Sequence, residues 1–271
     1  MQNVVMRLRI QIAAAGDPRV CMATVLVSDD PRDEANARRK HRKAEEAGMQ
    51  YVHRQFSGTA EQYEIEAAID QLAQDSGVHG VFVQLPLPKH LNARVILDRI
   101  PFEKDIDGSS GRSVGALAQG QPLFAPATPS GILDLLAYGG VDVKASRAVV
   151  IGRSLEIARA AALLLAERGA PSVTLIDADV ADLREVCRQA DVLISAAERP
   201  GFITADFVKA GSTVVDAGYN RTPAGVVGDL DPGVEGVARA IVAMPGGTGP
   251  ATIACLLQHT WAAYNRLRSA E

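Results

Sequence analysis

The chain has 271 residues, 47% hydrophobic and 22% charged, which excludes a disordered polymer and leaves room for two modest domains, each with a core. Its 28 basic and 32 acidic side chains give a net charge of −4, too little positive field to draw a nucleic-acid backbone. Cys21, Cys187 and Cys255 lie far apart among apolar neighbours, with no spacing that suggests a metal site, so they are expected to be reduced core thiols. No stretch approaches the roughly eighteen apolar residues of a membrane span and no signal-peptide layout opens the chain, so no membrane partner and a cytoplasmic location are expected.

From about residue 22, short apolar runs alternate with amphipathic stretches, the signature of βαβ units and a parallel sheet, so the fold class is α/β. Residues 22–27 read as a buried strand, 31–47 as a charged helix stopped by Gly48, and 51–53 as part of a second strand. A helix near 61–74 leads to the strand 81–83, and the motif Gln84-Leu85-Pro86-Leu87-Pro88-Lys89-His90 closes it. Lys104-Asp105-Ile106-Asp107-Gly108 follows, so an amide and two carboxylates reach loops at strand ends, where open α/β sheets put their chemistry. The basic run 38–43 reads as a solvated helix face.

Residues 119–129 are rich in breakers and mark a domain junction. The expected arrangement is 1–123 with 249–271 as one domain and 124–248 as a second, Rossmann-like one. The second domain's strands are 148–151, 173–176, 192–195, 213–216 and 240–243. After 245–250 a last helix carries Ile253, Leu256, Leu257, Thr260 and Trp261 at helical spacing.

The strand 148–151 runs into Gly152-Arg153-Ser154 and a helix, the context in which backbone N–H groups hold a pyrophosphate, although no GxGxxG is present. Asp177 follows the next strand. An acid there accepts from a ribose 2′-hydroxyl and repels a 2′-phosphate, favouring NAD over NADP; a helix N-cap is the plainer reading of the same residue. Lys40 lies mid-helix with Asn36 one turn earlier on the same face. Desolvation there would make the amine a neutral base near physiological pH, whereas a solvated surface lysine is the plainer alternative.

Taken together, Asp29-Asp30-Pro31, Lys40, Glu45-Glu46-Ala47-Gly48, the Gln84 motif, the Asp107 motif, Pro126-Ala127-Thr128-Pro129-Ser130-Gly131, Val150-Ile151-Gly152-Arg153-Ser154 and Pro245-Gly246-Gly247-Thr248-Gly249-Pro250 closely resemble the methylenetetrahydrofolate dehydrogenase/methenyltetrahydrofolate cyclohydrolase family. The resemblance runs from about residue 22. It implies a homodimer of two-domain subunits with a folate cleft between a catalytic and a nicotinamide-binding domain. The methylene bridge of the folate gives a hydride to NAD or NADP, and water then attacks the methenyl cation. By position, Lys40 matches the lysine that assists this hydration, Gln84 the glutamine that orients it, and Asp107 the carboxylate that binds the pterin. Asn36, Gly247, Pro250 and Thr252 are implied on the folate side, and Gly152, Arg153, Ser154, Asp177 and Thr128 on the nucleotide side. Asp105 is read as structural.

Several positions depart from the family pattern. Asn36 replaces a tyrosine that stacks on folate; Ser109-Ser110-Gly111 replaces Phe-His-Pro, with Ser113 at the place of an asparagine; Ala127 replaces a cysteine; and Asp177-Ala178 replaces His-Ser. Residues 157–160 replace Val-Gly-x-Pro, and the family's N-terminal strand and much of its first helix are expected to be missing before Met22. An NAD-preferring dehydrogenase with cyclohydrolase activity is the leading expectation. A cyclohydrolase-only or altered-substrate paralogue, and a catalytically silent binding subunit, are the alternatives.

Overall fold

Every residue of the run Cys-Met-Ala-Thr-Val-Leu-Val is buried, as expected of a strand covered on both faces, and it forms β1 (Cys21–Val27). In the computed structural model, which describes residues 1–223 and 225–269, β1 pairs in parallel with β2 (Gln50–Phe56) and β3 (Gly80–Val83). The order β2-β1-β3 means that the chain leaves β1 for one neighbour and returns on the other side. A switch point therefore lies at the carboxyl ends of β1 and β3, beside Gln84.

A helix, α1 (Gln2–Ala14), precedes this sheet, which corrects the expectation that much of the first helix is missing before Met22. Its buried residues Val5, Leu8 and Ile12 follow helical spacing, but Met6 and Ile10 are exposed between them. That weak contrast between faces hides the helix from a periodicity reading. α2 (Pro31–Glu46) starts sharply: the Asp30 side chain accepts the Arg32 N–H, Pro31 opens the first turn, and Asp33 and Glu34 complement the helix dipole. Gly48, at φ +85°, follows its end. Only Asp33, Ala37, Lys40 and Ala44 are buried on this otherwise solvated helix, so two of its four buried residues are charged.

α3 (Gln62–Gln74) begins with a capping box between Glu61 and Glu64, and the buried Lys104 ammonium donates to the carbonyls of Ala73 at 2.9 Å and Asp75 at 2.7 Å beyond its end. α4 (Ala93–Leu97) and α5 (Gly111–Ala118) follow. One core joins Val5, Leu8 and Ile12 of α1 to Met22, Ala44, Phe82, Ile106, Leu256 and Leu257; a second, on the opposite face of the sheet, joins Val25, Val81 and Val83 to Ile65, Ile69 and Leu72.

The contacts divide the chain into Met1–Ala127 with Ile253–Glu271 and, separately, Thr128–Thr252; the sequence reading drew these junctions after 123 and 248. α6 (Ala127–Tyr138) leads into the second unit, whose parallel sheet comprises β4 (Arg147–Ile151), β5 (Ser172–Ile176), β6 (Val192–Ser195) and β7 (Thr213–Asp216). A small hairpin, β8 (Asn220–Thr222) and β9 (Gly225–Val227), precedes the last strand, β10 (Ala240–Val242). α7 (Ala160–Glu167) and α8 (Leu183–Cys187) lie between strands, and α9 (Thr248–Arg268) closes the chain. The order β10-β7-β6-β4-β5 places the switch point between β4 and β6, where Gly152 follows β4.

If α1 belongs to the core as described, Ile12→Ala lowers unfolding stability by about 2–5 kcal/mol, whereas Ile10→Ala on its exposed face changes it by less than about 0.5 kcal/mol. Urea titrations of the two variants measure this. Equal, small effects would remove α1 from the core.

Candidate active site

Lys40 is only 7% exposed, and its side chain is aimed at the end of β3. Its Nζ donates to Gln84 Oε1 at 2.6 Å and stands 5.0 Å from the centre of the Phe82 ring. Phe82 and Gln84 are two residues apart along an extended run, so strand alternation turns both toward the same face. The Gln84 amide is fixed from both sides. Its backbone N–H continues the sheet to the Val25 carbonyl at 2.9 Å, and Nε2 donates to the Leu85 carbonyl at 2.9 Å, leaving Oε1 toward Lys40.

Burial pushes the Lys40 amine down from its usual 10.5 to about 8. The charge of Asp107 opposes this shift, Arg39 adds to it, and Asp33 opposes it. Asp107 is thus within electrostatic reach of Lys40, and the structure brings together the three side chains expected to act. Nearby, Thr24 bonds the Tyr51 hydroxyl and lies 3.3 Å from His53 Nδ1. Burial also lowers the His53 ring below its ordinary value, which disfavours a second positive charge near Lys40.

The loop that carries Asp107 is fastened by Asp105, which is fully buried. Val81 donates to the Lys104 carbonyl at 2.8 Å, joining the loop to β3. The Asp105 carboxylate then accepts the N–H groups of Ser109 at 3.2 Å and Ser110 at 2.9 Å, and the Ser113 hydroxyl at 2.6 Å. Gly108 turns at φ +62°, where a β-carbon would strike the Phe124 carbonyl. His259 Nδ1 stands 2.7 Å from the Ile106 carbonyl, where it donates and fixes the residue before Asp107. Asn36 lies half-buried one turn before Lys40 on α2.

In the second unit, Gly152 sits at φ +134°, and a β-carbon there would strike the Ala196 carbonyl beyond β6. Only glycine lets the two strand ends approach this closely. Ser154 Oγ accepts the Ala158 N–H at 3.1 Å, starting the helical run that continues into α7. Arg153, its side chain 80% exposed, pairs with Asp177 at 3.1 Å. Asp177 also accepts the Asp179 N–H at 3.0 Å, making a local turn; α8 begins only at Leu183, so the N-cap reading of Asp177 is corrected. Thr252 Oγ1 lies 3.0 Å from Thr128 Oγ1 and 2.9 Å from the Thr248 carbonyl. Gly247 is packed so that a β-carbon would meet Val242 at 2.5 Å, and Pro250 stands in the first turn of α9. The glycine-built strand end, the helical start after it and the acid at the end of β5 fit a dinucleotide. Among the described residues no cluster of His, Cys, Asp and Glu could hold a metal ion.

The description tetrahydrofolate dehydrogenase/cyclohydrolase, catalytic domain, matches residues 2–107, and the NAD(P)-binding domain of the same description matches residues 126–268. The chain belongs to the tetrahydrofolate dehydrogenase/cyclohydrolase family. Its similarity to the bifunctional protein FolD 2 of Frankia alni is 45% identity over 240 residues, 88% of this chain and 83% of that one. Among solved structures, the bifunctional FolD methylenetetrahydrofolate dehydrogenase/cyclohydrolase of Campylobacter jejuni shares 36% identity at a TM-score of 0.91, covering 98% of this chain and 96% of that one. The Trypanosoma brucei enzyme, solved with NADP and an inhibitor, shares 28% identity at a TM-score of 0.92, covering 98% and 94%. The family match begins at residue 2, so the resemblance starts twenty residues earlier than the sequence reading placed it. Three neighbours of Lys40, namely Asp33, Phe82 and His53, were not singled out from the sequence; spacing of seven along α2 would have found the first, and spacing of two before Gln84 the second.

A lysine with a folded-state value near 8 against an ordinary 10.5 binds its proton less tightly when folded. The unfolded chain therefore holds more protons between these values, and stability rises with pH there. Below about pH 8 the full burial cost remains. Relative to a Lys40→Met variant, the protein is expected to gain on the order of 3 kcal/mol between pH 8 and 10.5, measured by urea unfolding at stepped pH. A flat difference would mean that Lys40 is not desolvated.

Proposed function

We propose that this protein oxidises 5,10-methylenetetrahydrofolate to 5,10-methenyltetrahydrofolate with a nicotinamide dinucleotide and hydrolyses the product to 10-formyltetrahydrofolate. The observation that carries the reading is the buried Lys40 amine donating to Gln84 Oε1 at 2.6 Å with Asp107 as its main opposing charge. The name of the Campylobacter jejuni enzyme carries both activities, and Lys40, Gln84 and Asp107 are all present here.

Asp107 offers carboxylate oxygens to the amino and ring N–H groups of the pterin, a two-point contact that fixes the ring's orientation. When bound, the nicotinamide accepts the hydride that leaves the methylene carbon. No protein base is required there, because the folate nitrogens supply the electron pair. Hydration does need one. Water attacks the methenyl carbon while the neutral fraction of Lys40 takes its proton; the carbon–N5 bond then breaks as N5 is protonated and the new hydroxyl gives up its proton, leaving the formyl group on N10, and Gln84 Oε1 holds Nζ in place throughout. An amine adjusted to about 8 is deprotonated often enough to accept that proton and basic enough to keep it.

NAD is the preferred nucleotide in this reading. Asp177 is held by its local turn, whereas Arg153 is mostly solvated, so the fixed charge facing the adenine ribose is negative. A 2′-phosphate would meet that carboxylate, and an exposed arginine pairing offers about 1 kcal/mol at most in return. A homodimer and a cytoplasmic location belong to the same proposal. No helix among the described residues is long and apolar enough to cross a membrane.

An absorbance assay with methylenetetrahydrofolate and each nucleotide tests the whole. Methenyl product is expected with both, faster with NAD, and Asp177→Ser should narrow the gap. Lys40→Met should lose at least about a hundredfold in hydration of supplied methenyltetrahydrofolate while still oxidising the methylene form. Absence of methenyl product with either nucleotide would overturn the proposal. Asn36→Tyr would add an aromatic face worth about 0.5–1.5 kcal/mol, tightening folate binding about two- to tenfold by calorimetry; unchanged affinity would show that position 36 does not face the pterin.

A further inference from the structure

Asp33 is 8% exposed, although a carboxylate on the first turn of a helix has every opportunity to reach water. It belongs to the narrow buried stripe Asp33-Ala37-Lys40-Ala44 of α2. Seven residues make two helical turns, so Asp33 and Lys40 project from nearly the same face about 10 Å apart along the axis. Side chains on a helix lean toward its N-terminus, which brings the long Lys40 stem back toward Asp33 and shortens that separation. The Ser28 hydroxyl donates to Asp33 Oδ2 at 2.6 Å, and Ser28 Oγ in turn accepts the Asp30 N–H at 3.0 Å. The carboxylate is therefore anchored to the turn between β1 and α2.

We propose that Asp33 is an electrostatic positioning residue for Lys40: its buried carboxylate, fixed by Ser28 on the same helical stripe, holds positive charge on the Lys40 side chain and so sets the pH window of the hydration step. The proposal rests on the reading of Lys40 as the group that assists hydration. Lys40 is surrounded by charged and polar groups from four elements. α2 supplies Asp33 and Arg39; β3 and its extension supply the Phe82 ring and Gln84; the loop after Lys104 supplies Asp107; and β2 supplies His53, whose ring burial holds below its ordinary value. Two negative charges thus oppose one positive charge and the loss of water around the amine. Asp107 is required to meet the pterin. Hydrogen bonds from neutral substrate N–H groups leave the charge of Asp107 in place, and Asp33 adds a second negative charge that is fixed by the fold and independent of the substrate.

Asp33→Asn removes the charge and keeps an oxygen for Ser28, and Ser28→Ala keeps the charge and removes the hydrogen bond. The Lys40 titration is followed by the Cε resonance in 13C-lysine-labelled protein, assigned with Lys40→Met, and kcat/KM for methenyltetrahydrofolate hydration is measured across the same pH range. Asp33→Asn is expected to move both midpoints down by about 0.5–1 pH unit, because a charge removed at about 10 Å in a partly buried setting has that effect. Ser28→Ala is expected to lower the melting temperature and leave both midpoints in place. Midpoints that stay put in Asp33→Asn while Lys40→Met abolishes hydration would overturn the role of Asp33 and leave the functional reading standing. If Lys40→Met hydrates at the unaltered rate, the reading of Lys40 fails, and with it the claim that Asp33 sets the hydration window. An Asp33→Asn protein that melts lower without any change in either midpoint would likewise reduce Asp33 to a structural anchor.

Discussion

Removing an amine from water is costly, and how that cost is offset at Lys40 shapes the first unit. Had Lys40 been buried against a carboxylate at hydrogen-bond distance, it would be locked as an ammonium and useless as a base near neutral pH. Had it been buried among alkyl groups alone, it would lose its proton wholly and its position with it. The direct partner is a neutral carbonyl, Gln84 Oε1, and the face of Phe82 lies below. The negative charges act from farther away. This partial compensation leaves the amine near 8, between the two useless extremes. It also explains why Gln84 stands directly at the end of β3: its backbone is held by Val25 of β1 before its side chain holds anything else.

Asp105 and Asp107 stand two residues apart in one short motif yet have opposite circumstances. Asp105 is fully buried and accepts from Ser109, Ser110 and Ser113. Ser110 and Ser113 also bond each other. Ser113 carries a hydroxyl to the carboxylate, and Ser110 Oγ both accepts the Ser113 N–H at 3.3 Å and lies 3.0 Å from the Ser113 hydroxyl. Ser110 and Ser113 thus take part in the fastening of the loop, and Asp107 is left half-buried beyond it.

The alternation of buried runs and charged helices made the parallel sheets legible, because period and composition are local properties. The pairing of Lys40 with Gln84 was legible only through resemblance, since forty-four residues separate the two and no local rule brings them together. α1 escaped notice because its exposed face carries Met6 and Ile10, which blur the contrast that a pattern reading needs. Asp33 escaped for another reason. A charged residue in the first turn of a helix is ordinary by its dipole alone, and only burial shows that it points inward. Asp177 was placed correctly after β5, but its partners, Arg153 and the Asp179 N–H, depend on turn geometry that the sequence leaves open.

The second unit supplies the contrast that gives the Lys40 site its meaning. Asp229 is as deeply buried as any ionisable group in the chain, and it accepts from Ser195 Oγ, the N–H groups of Ala197 and Arg199, and Asn220 Nδ2, all between 2.8 and 2.9 Å. Asp216 accepts the N–H groups of Gly218, Asp229 and Leu230, and both Gly218 and Gly228 are places where a β-carbon would collide with one of these carboxylates. Asp229 is thus engaged by four donors and orders its loops, whereas burial and the charge of Asp229 hold the Asp216 carboxyl above its ordinary value despite its three N–H donors. Lys40 has one strong partner and two distant opposing charges, and its burial is only partly offset. A buried ion whose hydrogen-bonding capacity is exhausted organises structure, whereas one left short of compensation has a proton affinity that a bound molecule can use. By that criterion the chemistry of the first unit belongs at Lys40, and Asp105, for all its burial, belongs to the scaffold that presents Asp107.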